Sequence, residues 1–273
     1  MIDAHHHLWR IGRNGCAWPP PTLAAIHRDF ELDEFEALAR GVGVTGGVLV
    51  QSQPCDADTD YLLDLAADEA FVLGVVGWTD LASPDAPARI GELAARPKLK
   101  GLRPMLQALE ADDWIAVRAG ADAAEAMVRC GLVFDALVDS RHLEALLVFA
   151  RRHPALAVVI DHGAKPAIAR GLIDPWRERM AALAAQPQVS CKLSGLLTEA
   201  GEARDTAALK PYVNHLIDIF GESRLIWGGD WPVLNLAGSY GGWVDQALAL
   251  TESLGAEARR LIFEANARRI YDL

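Results

Sequence analysis

Cysteine is scarce and scattered: the 273 residues contain four, Cys16, Cys55, Cys130 and Cys191, with no Cys-x-x-Cys pair among them. Neither a disulfide framework nor a thiolate zinc site is expected, and all four read as ordinary buried or half-buried thiols. Positive charge is in deficit, with 26 Lys plus Arg against 37 Asp plus Glu and a net charge of −11. Such a globule draws no polyphosphate, so nucleic acid and anionic membrane are poor partners. Long apolar runs are also missing. The longest, such as Leu146 to Ala150 and Leu156 to Ile160, are far below a bilayer span. Met1-Ile2-Asp3-Ala4-His5 lacks the basic start and apolar run of a secretory signal, so a cytoplasmic protein is expected. No linker, charge block or low-complexity tract interrupts the chain, and one domain over residues 1–273 is expected.

Apolar residues are abundant, 51% against 23% charged, enough for a large core. They fall into short β-branched runs separated by Ala/Leu/Glu/Arg-rich stretches of helical period. The strands expected are Ile2 to His7, Thr45 to Gln51, Val72 to Trp78, Leu99 to Met105, Leu132 to Val138, Ala157 to His162, Val189 to Leu193 and Leu225 to Gly229. Helices are expected at Asp33 to Arg40, Asp58 to Ala70, Asp85 to Ala95, Asp113 to Cys130, Arg141 to Arg152, Trp176 to Ala185, Thr206 to Phe220 and Glu257 to Ile270, with Gly41, Gly131 and Gly221 as left-handed caps. Eight strand–helix alternations in this length give an α/β fold, a compact (β/α)8 barrel. Gly12 to His27 and Trp231 to Trp243 are expected as long loops over the mouth, where barrel enzymes hold substrate.

In Asp3-Ala4-His5-His6-His7 the strand alternation sends His5 and His7 to one face and His6 to the other. Two imidazoles about 7 Å apart along one face suit one metal or one polarised oxygen, and equally a packed polar floor. His162 ends strand six, and Gly228-Gly229-Asp230 delivers a carboxylate from the end of strand eight, the glycines allowing close backbone approach. Strands one, six and eight are near neighbours around a closed barrel, so His5, His7, His162 and Asp230 are expected to converge.

These segments, with Val76-Gly77-Trp78-Thr79-Asp80-Leu81, His162-Gly163-Ala164-Lys165-Pro166, Cys191-Lys192-Leu193-Ser194-Gly195-Leu196 and Asn266-Ala267-Arg268-Arg269-Ile270-Tyr271, resemble the amidohydrolase superfamily of the amidohydrolase 2 type. Within it they look like the branch of sugar-lactone and 2-pyrone-4,6-dicarboxylate lactonases, L-fuconolactonase-like. The resemblance implies a distorted barrel that opens the cyclic ester of a sugar acid, an aldonolactone such as L-fucono- or L-rhamnono-lactone. His5 and His7 match the family's His-x-His, His162 its strand-six histidine and Asp230 its strand-eight aspartate. Strand four reads Lys100-Gly101-Leu102-Arg103-Pro104 and strand five Val133-Phe134-Asp135-Ala136-Leu137, without the histidine on strand five that binuclear members carry. The expectation is therefore no required cofactor, or one divalent metal, zinc first, on His5, His7 and Asp230.

The expected mechanism makes Asp230 the base that takes a proton from water and returns it to the ring oxygen. The three histidines, His162 catalytic among them, hold the oxyanion and orient the water, directly or through one metal. Substrate contacts are expected from Arg103, Lys192, Gln51, Trp78, Arg28 and Trp231, with Gln53, Asp80, His27, Lys165, Trp9, Trp18 and Trp243 as further candidates. Two rivals stand beside the sugar lactonase in chemistry: a pyrone-dicarboxylate lactonase, and a metal-dependent decarboxylase of an unsaturated or aromatic acid. A ligand-binding barrel without activity is the third. Oligomerisation into a homo-oligomer is left open.

Overall fold

The computed structural model describes residues 1–15 and 17–273. Eight parallel strands pair in sequence order: β1 (Asp3–His6), β2 (Gly47–Val50), β3 (Val72–Gly77), β4 (Leu99–Leu102), β5 (Val133–Ala136), β6 (Val158–Ile160), β7 (Val189–Leu193) and β8 (Leu225–Trp227). The helices are α1 (Leu32–Gly41), α2 (Asp56–Ala66), α3 (Ala86–Ala94), α4 (Trp114–Val117), α5 (Ala121–Arg129), α6 (Leu143–Arg152), α7 (Trp176–Ala184), α8 (Leu196–Glu199), α9 (Thr206–Phe220), α10 (Tyr240–Leu250), α11 (Ala256–Arg260) and α12 (Asn266–Tyr271). Every expected strand is present. This is a single-domain (β/α)8 barrel, and among the described residues no helix is long and apolar enough to cross a membrane.

Alternation along the strands separates two cores. Outward residues such as Phe134, Ile160, Leu193 and Trp227 pack with the helices. Inward ones, Ile2, Ala4, Val48, Val50, Val76, Val133, Val159 and Ile226, fill the barrel with Ala267 and Tyr271 of α12. β1 breaks the rule: its register against β2 shifts between Asp3 and His6, so Ala4 and His5 both face inward while His6 stacks outside on Phe35, ring centroids 4.1 Å apart.

Several local expectations are corrected. The expected helix Asp113 to Cys130 is two, because Gly120 is extended and donates its N–H to the Leu81 carbonyl (3.0 Å) instead of continuing a helix. The last helix contains a π turn over Leu261–Ala265. The expected loop Trp231 to Trp243 contains the start of α10, which Ser239 caps by accepting the Gly242 N–H (3.2 Å). Gly131 and Gly221 do take positive φ, whereas Gly41 is helical and Gly43 carries the left-handed turn (φ +83°). Cys191 is buried and Cys55 half-buried, but Cys130 is exposed at the end of α5. Cys16 lies outside the described residues.

Candidate active site

The barrel closes where the chain leaving β8 lies along β1: Asp230 N–H donates to the His5 carbonyl and His7 N–H to the Trp231 carbonyl, both at 2.7 Å. That ladder places the Asp230 side chain between the two histidines. It requires glycine beside it, because a Cβ on Gly228 would stand 2.8 Å from the His5 Cβ, and one on Gly229 2.5 Å from Asp3 Oδ2. Asp3 clamps the seam. Its Oδ1 accepts the N–H of His5 (2.9 Å) and Gly229 (2.8 Å), and its Oδ2 accepts the Tyr240 hydroxyl (2.7 Å). Burial pushes its carboxyl up to about 6 despite those bonds.

Asp230 Oδ1 lies 3.5 Å from His7 Nε2, 3.8 Å from His5 Nε2 and 3.9 Å from His162 Nε2. Burial alone would raise this carboxyl, but the imidazoles, His162 first, hold it well below the usual carboxylate range. Burial lowers His162 to about 4 and His5 well below its ordinary value. The rings are oriented from behind: His7 Nδ1 meets the Val50 carbonyl (2.8 Å) and His162 Nδ1 the Ser194 hydroxyl (2.9 Å). His162 has φ +54°, and Gly195, φ +61°, lets it lie where a Cβ would come within 2.5 Å of its Nδ1.

Among the described residues, His5, His7 and Asp230 form one of two groups whose donor atoms lie close enough to share a metal, His5, Asp161 and His162 the other. Bonds of about 2.0–2.1 Å to a tetrahedral zinc put ligand atoms about 3.3–3.4 Å apart. His5 Nε2 and His7 Nε2 are 3.2 Å apart, and Asp230 Oδ1 stands 3.5 and 3.8 Å from them. Because a carbonyl only accepts, His7 Nδ1 donates to Val50, and Nε2 is the ring atom turned toward His5 and Asp230. The donor set fits one divalent ion. The second group shares His5 with the first, and strand five supplies Asp135 and no histidine.

Beneath His5 lies a sealed layer of charge. Lys192 Nζ contacts Asp135 Oδ2 (2.5 Å), Asp161 Oδ1 (3.0 Å) and His5 Nδ1 (3.2 Å). The Tyr271 hydroxyl donates to Asp135, 2.9 Å from each oxygen, and Arg103 Nη1 sits 3.4 Å from both Asp161 Oδ2 and His5 Nε2. Burial pushes Asp135 up to about 6, Lys192 opposing it. Asp161 is as deeply buried, but Lys192 and His5 keep it well below the carboxylate range.

Above the layer opens a cavity of about 440 Å³. Its wall includes His7, His162, Arg103, Asp230, Gln53, Lys165 and Trp18, the last from the long loop, and its one carboxylate among the described residues is Asp230. Other expected contacts do not reach it. Lys192 is inside the ladder of β7 and fully buried. Gln51 is buried and donates its amide to the Arg103 carbonyl (2.9 Å). Trp231 packs on Phe35, and Arg28 is exposed, pairing with Glu34 and covering Phe30. Trp78 and Asp80 line a neighbouring cavity of about 420 Å³. Trp9 and Trp243 are structural, their indole N–H groups bonded to the carbonyls of Arg28 and Gly228 (2.8 Å each), and His27 is held by Pro19. Ser194, Asp161, Asp135 and Tyr271, by contrast, belong to the site's support and were not singled out from sequence. Only Asp161 carried a signal, beside His162.

A family model described as amidohydrolase matches residues 2–273. The L-fucono-1,5-lactonase of Burkholderia ambifaria is 51% identical over 276 residues, covering 99% of this chain and 94% of that protein. An L-fucono-1,5-lactonase of Burkholderia multivorans is 36% identical over 293 residues, with 100% and 96% covered. A crystal structure of a Burkholderia multivorans amidohydrolase with bound zinc superposes with a TM-score of 0.90 at 34% identity, over 100% of this chain and 99% of that one. With its barrel, its His-x-His on β1 and its aspartate after β8, the chain belongs to the amidohydrolase family.

Proposed function

We propose that the protein is a lactonase opening the cyclic ester of a sugar acid, an aldonolactone of the L-fucono-1,5-lactone kind. The observation that carries this is Asp230, the one carboxylate lining the cavity of about 440 Å³ among the described residues, held ionised beside three imidazoles, with Arg103 lining the same cavity. Pockets of about 300 Å³ upward hold small ligands, and the identity to two L-fucono-1,5-lactonases favours this ester.

With one carboxylate present, the same group serves both halves of the reaction. Asp230 takes a proton from water as the water oxygen bonds to the lactone carbonyl carbon. As the tetrahedral adduct collapses, the ring C–O bond breaks and Asp230 returns the proton to the departing oxygen. His7, its Nδ1 bonded to the Val50 carbonyl, turns Nε2 to the cavity and orients the water. The Arg103 guanidinium, a permanent donor, supports the developing negative charge. His162, braced by Ser194, fixes the other side of Asp230. A divalent ion, zinc first, would be held by His5, His7 and Asp230 and would add Lewis-acid polarisation of the carbonyl.

The test is a panel of aldonolactones followed with a pH indicator, with and without chelator, beside a carbon dioxide assay on unsaturated and aromatic acids. Acid release, fastest on L-fucono-1,5-lactone or a close stereoisomer, is expected. Carbon dioxide release abolished by chelator, with every lactone untouched, would replace this reading by the decarboxylase.

A further inference from the structure

Granting the lactonase reading, on which this rests, we infer that Lys165 is a substrate-binding residue: its ammonium donates to a hydroxyl of the sugar ring and so selects a polyhydroxylated lactone over a bare one.

The chain leaves β6 through four successive positive φ values, His162 +54°, Gly163 +57°, Ala164 +58° and Lys165 +48°. Left-handed backbone is unfavourable for every residue but glycine. Lys165 also precedes Pro166, and a residue in that place is driven toward extended backbone. Such a run persists only where the surroundings over-determine it, and runs of this kind gather at functional sites. Here Ala164 is fully buried in the core, the Gly163 carbonyl accepts the Trp176 indole N–H (2.7 Å), and the Lys165 N–H closes the turn on the His162 carbonyl (2.9 Å). The turn brings both of its ends to one place, since His162 and Lys165 line the same cavity of about 440 Å³.

Other polar groups of that wall have work already. Thr198 gives its hydroxyl proton to the Gly195 carbonyl (2.8 Å), Gln53 donates its amide to the Trp18 carbonyl (3.1 Å), and Arg103 serves the oxyanion. Lys165 is the other Lys or Arg lining the cavity among the described residues. Its side chain is half-buried, and its ion-pair partner is Glu199, whose Oε1 stands 3.8 Å from Nζ, beyond hydrogen-bond length. An ammonium carries three N–H groups, so donors remain for the cavity. Glu199 also decides what kind of oxygen they meet. A substrate carboxylate at Lys165 would face the Glu199 charge, and like charges set side by side are costly. A hydroxyl accepts from the ammonium without that repulsion.

The test uses the full chain, wild type and Lys165→Met, with thermal melts to establish that the variant is folded. L-fucono-1,5-lactone is the substrate. The competitors are δ-valerolactone, a cyclic ester of the same ring size without hydroxyls, and 2-pyrone-4,6-dicarboxylate. In Lys165→Met, KM for the hydroxylated lactone is expected to rise about ten- to a hundredfold, the range that one charge-assisted hydrogen bond spans, with kcat within about twofold. Lys165→Arg should recover part of the loss, and the inhibition constants of both competitors should move less than about twofold. Wild type should itself bind δ-valerolactone at least about tenfold more weakly than the hydroxylated lactone, a comparison that needs no variant to fold. Equal wild-type binding of the two lactones overturns the inference, as does an unchanged KM in Lys165→Met. So does an equal weakening of δ-valerolactone, which would make Lys165 a support of the pocket, or a larger loss of the dicarboxylate, which would make it a carboxylate site. A wild-type protein that opens no lactone is a separate result: it ends the lactonase reading, and this inference with it.

Discussion

Replacing Asp230 by asparagine separates the chemistry of this carboxylate from its place in the fold. The backbone there is left-handed, φ +56°, and asparagine tolerates that conformation better than other non-glycine residues. Its main-chain bonds, N–H to the His5 carbonyl (2.7 Å) and carbonyl to the Leu234 N–H (2.8 Å), are untouched. The barrel seam should therefore persist. What is lost is the negative charge and the basic oxygen facing three imidazole nitrogens at 3.5–3.9 Å. General-base catalysis contributes about 10²- to 10⁴-fold, so kcat is expected to fall at least about 100-fold, which is about 2.7 kcal/mol of barrier. Initial rates of acid release are compared with a pH indicator after subtracting spontaneous lactone opening, alongside thermal melts. Asp230→Ala should be equally slow but also less stable, by about 1–2 kcal/mol for a left-handed alanine. A folded Asp230→Asn whose kcat stays within about twofold of wild type would remove Asp230 from both proton transfers.

Arg103→Met is expected to lower kcat/KM by about 10²- to 10³-fold, as loss of one oxyanion donor does; a change confined to KM would mark Arg103 as a ground-state contact only. Tyr271→Phe leaves buried Asp135 without its hydroxyl donor, and urea unfolding should show a loss of about 1.5–3 kcal/mol. A loss under about 0.5 kcal/mol would mean that Lys192 alone satisfies Asp135. His6→Leu addresses acid stability. Burial holds His6 well below its ordinary value, and neither ring nitrogen has a hydrogen-bond partner among the described residues. The unfolded chain thus binds a proton near pH 6.5 that the folded chain refuses, and stability falls as pH drops below that value. The leucine variant should lose one such proton, flattening the acid slope by about 1.4 kcal/mol per pH unit; identical slopes from pH 6 to 5 would show that His6 is not a source of the loss.

The barrel was legible because its signal repeats: eight β-branched runs each bury an apolar set, and a parallel sheet tolerates few other residues there. Irregular features were harder to read. α10 begins amid Gly241 and Gly242, and only the Ser239 cap explains why that segment is helical. The shift in β1 places Ala4 and His5 on the same side, which strict alternation forbids.

Depth along the barrel axis was the least legible quantity, and it decides which side chains meet substrate. Arg103 is one residue past β4, His7 one past β1, His162 two past β6 and Asp230 three past β8; all four line the cavity. His5 and Lys192 are inward-facing like them but lie inside their ladders, and both are sealed one layer lower. A lysine near the end of a strand reads identically in either place. Its position relative to the last ladder pair depends on the tilt and stagger of the closed sheet, a property of eight strands together. The same difference in depth gives Arg103 and Lys192 opposite tasks. A cation at the mouth can meet a developing oxyanion, while one below it is spent on the buried carboxylates of Asp135 and Asp161.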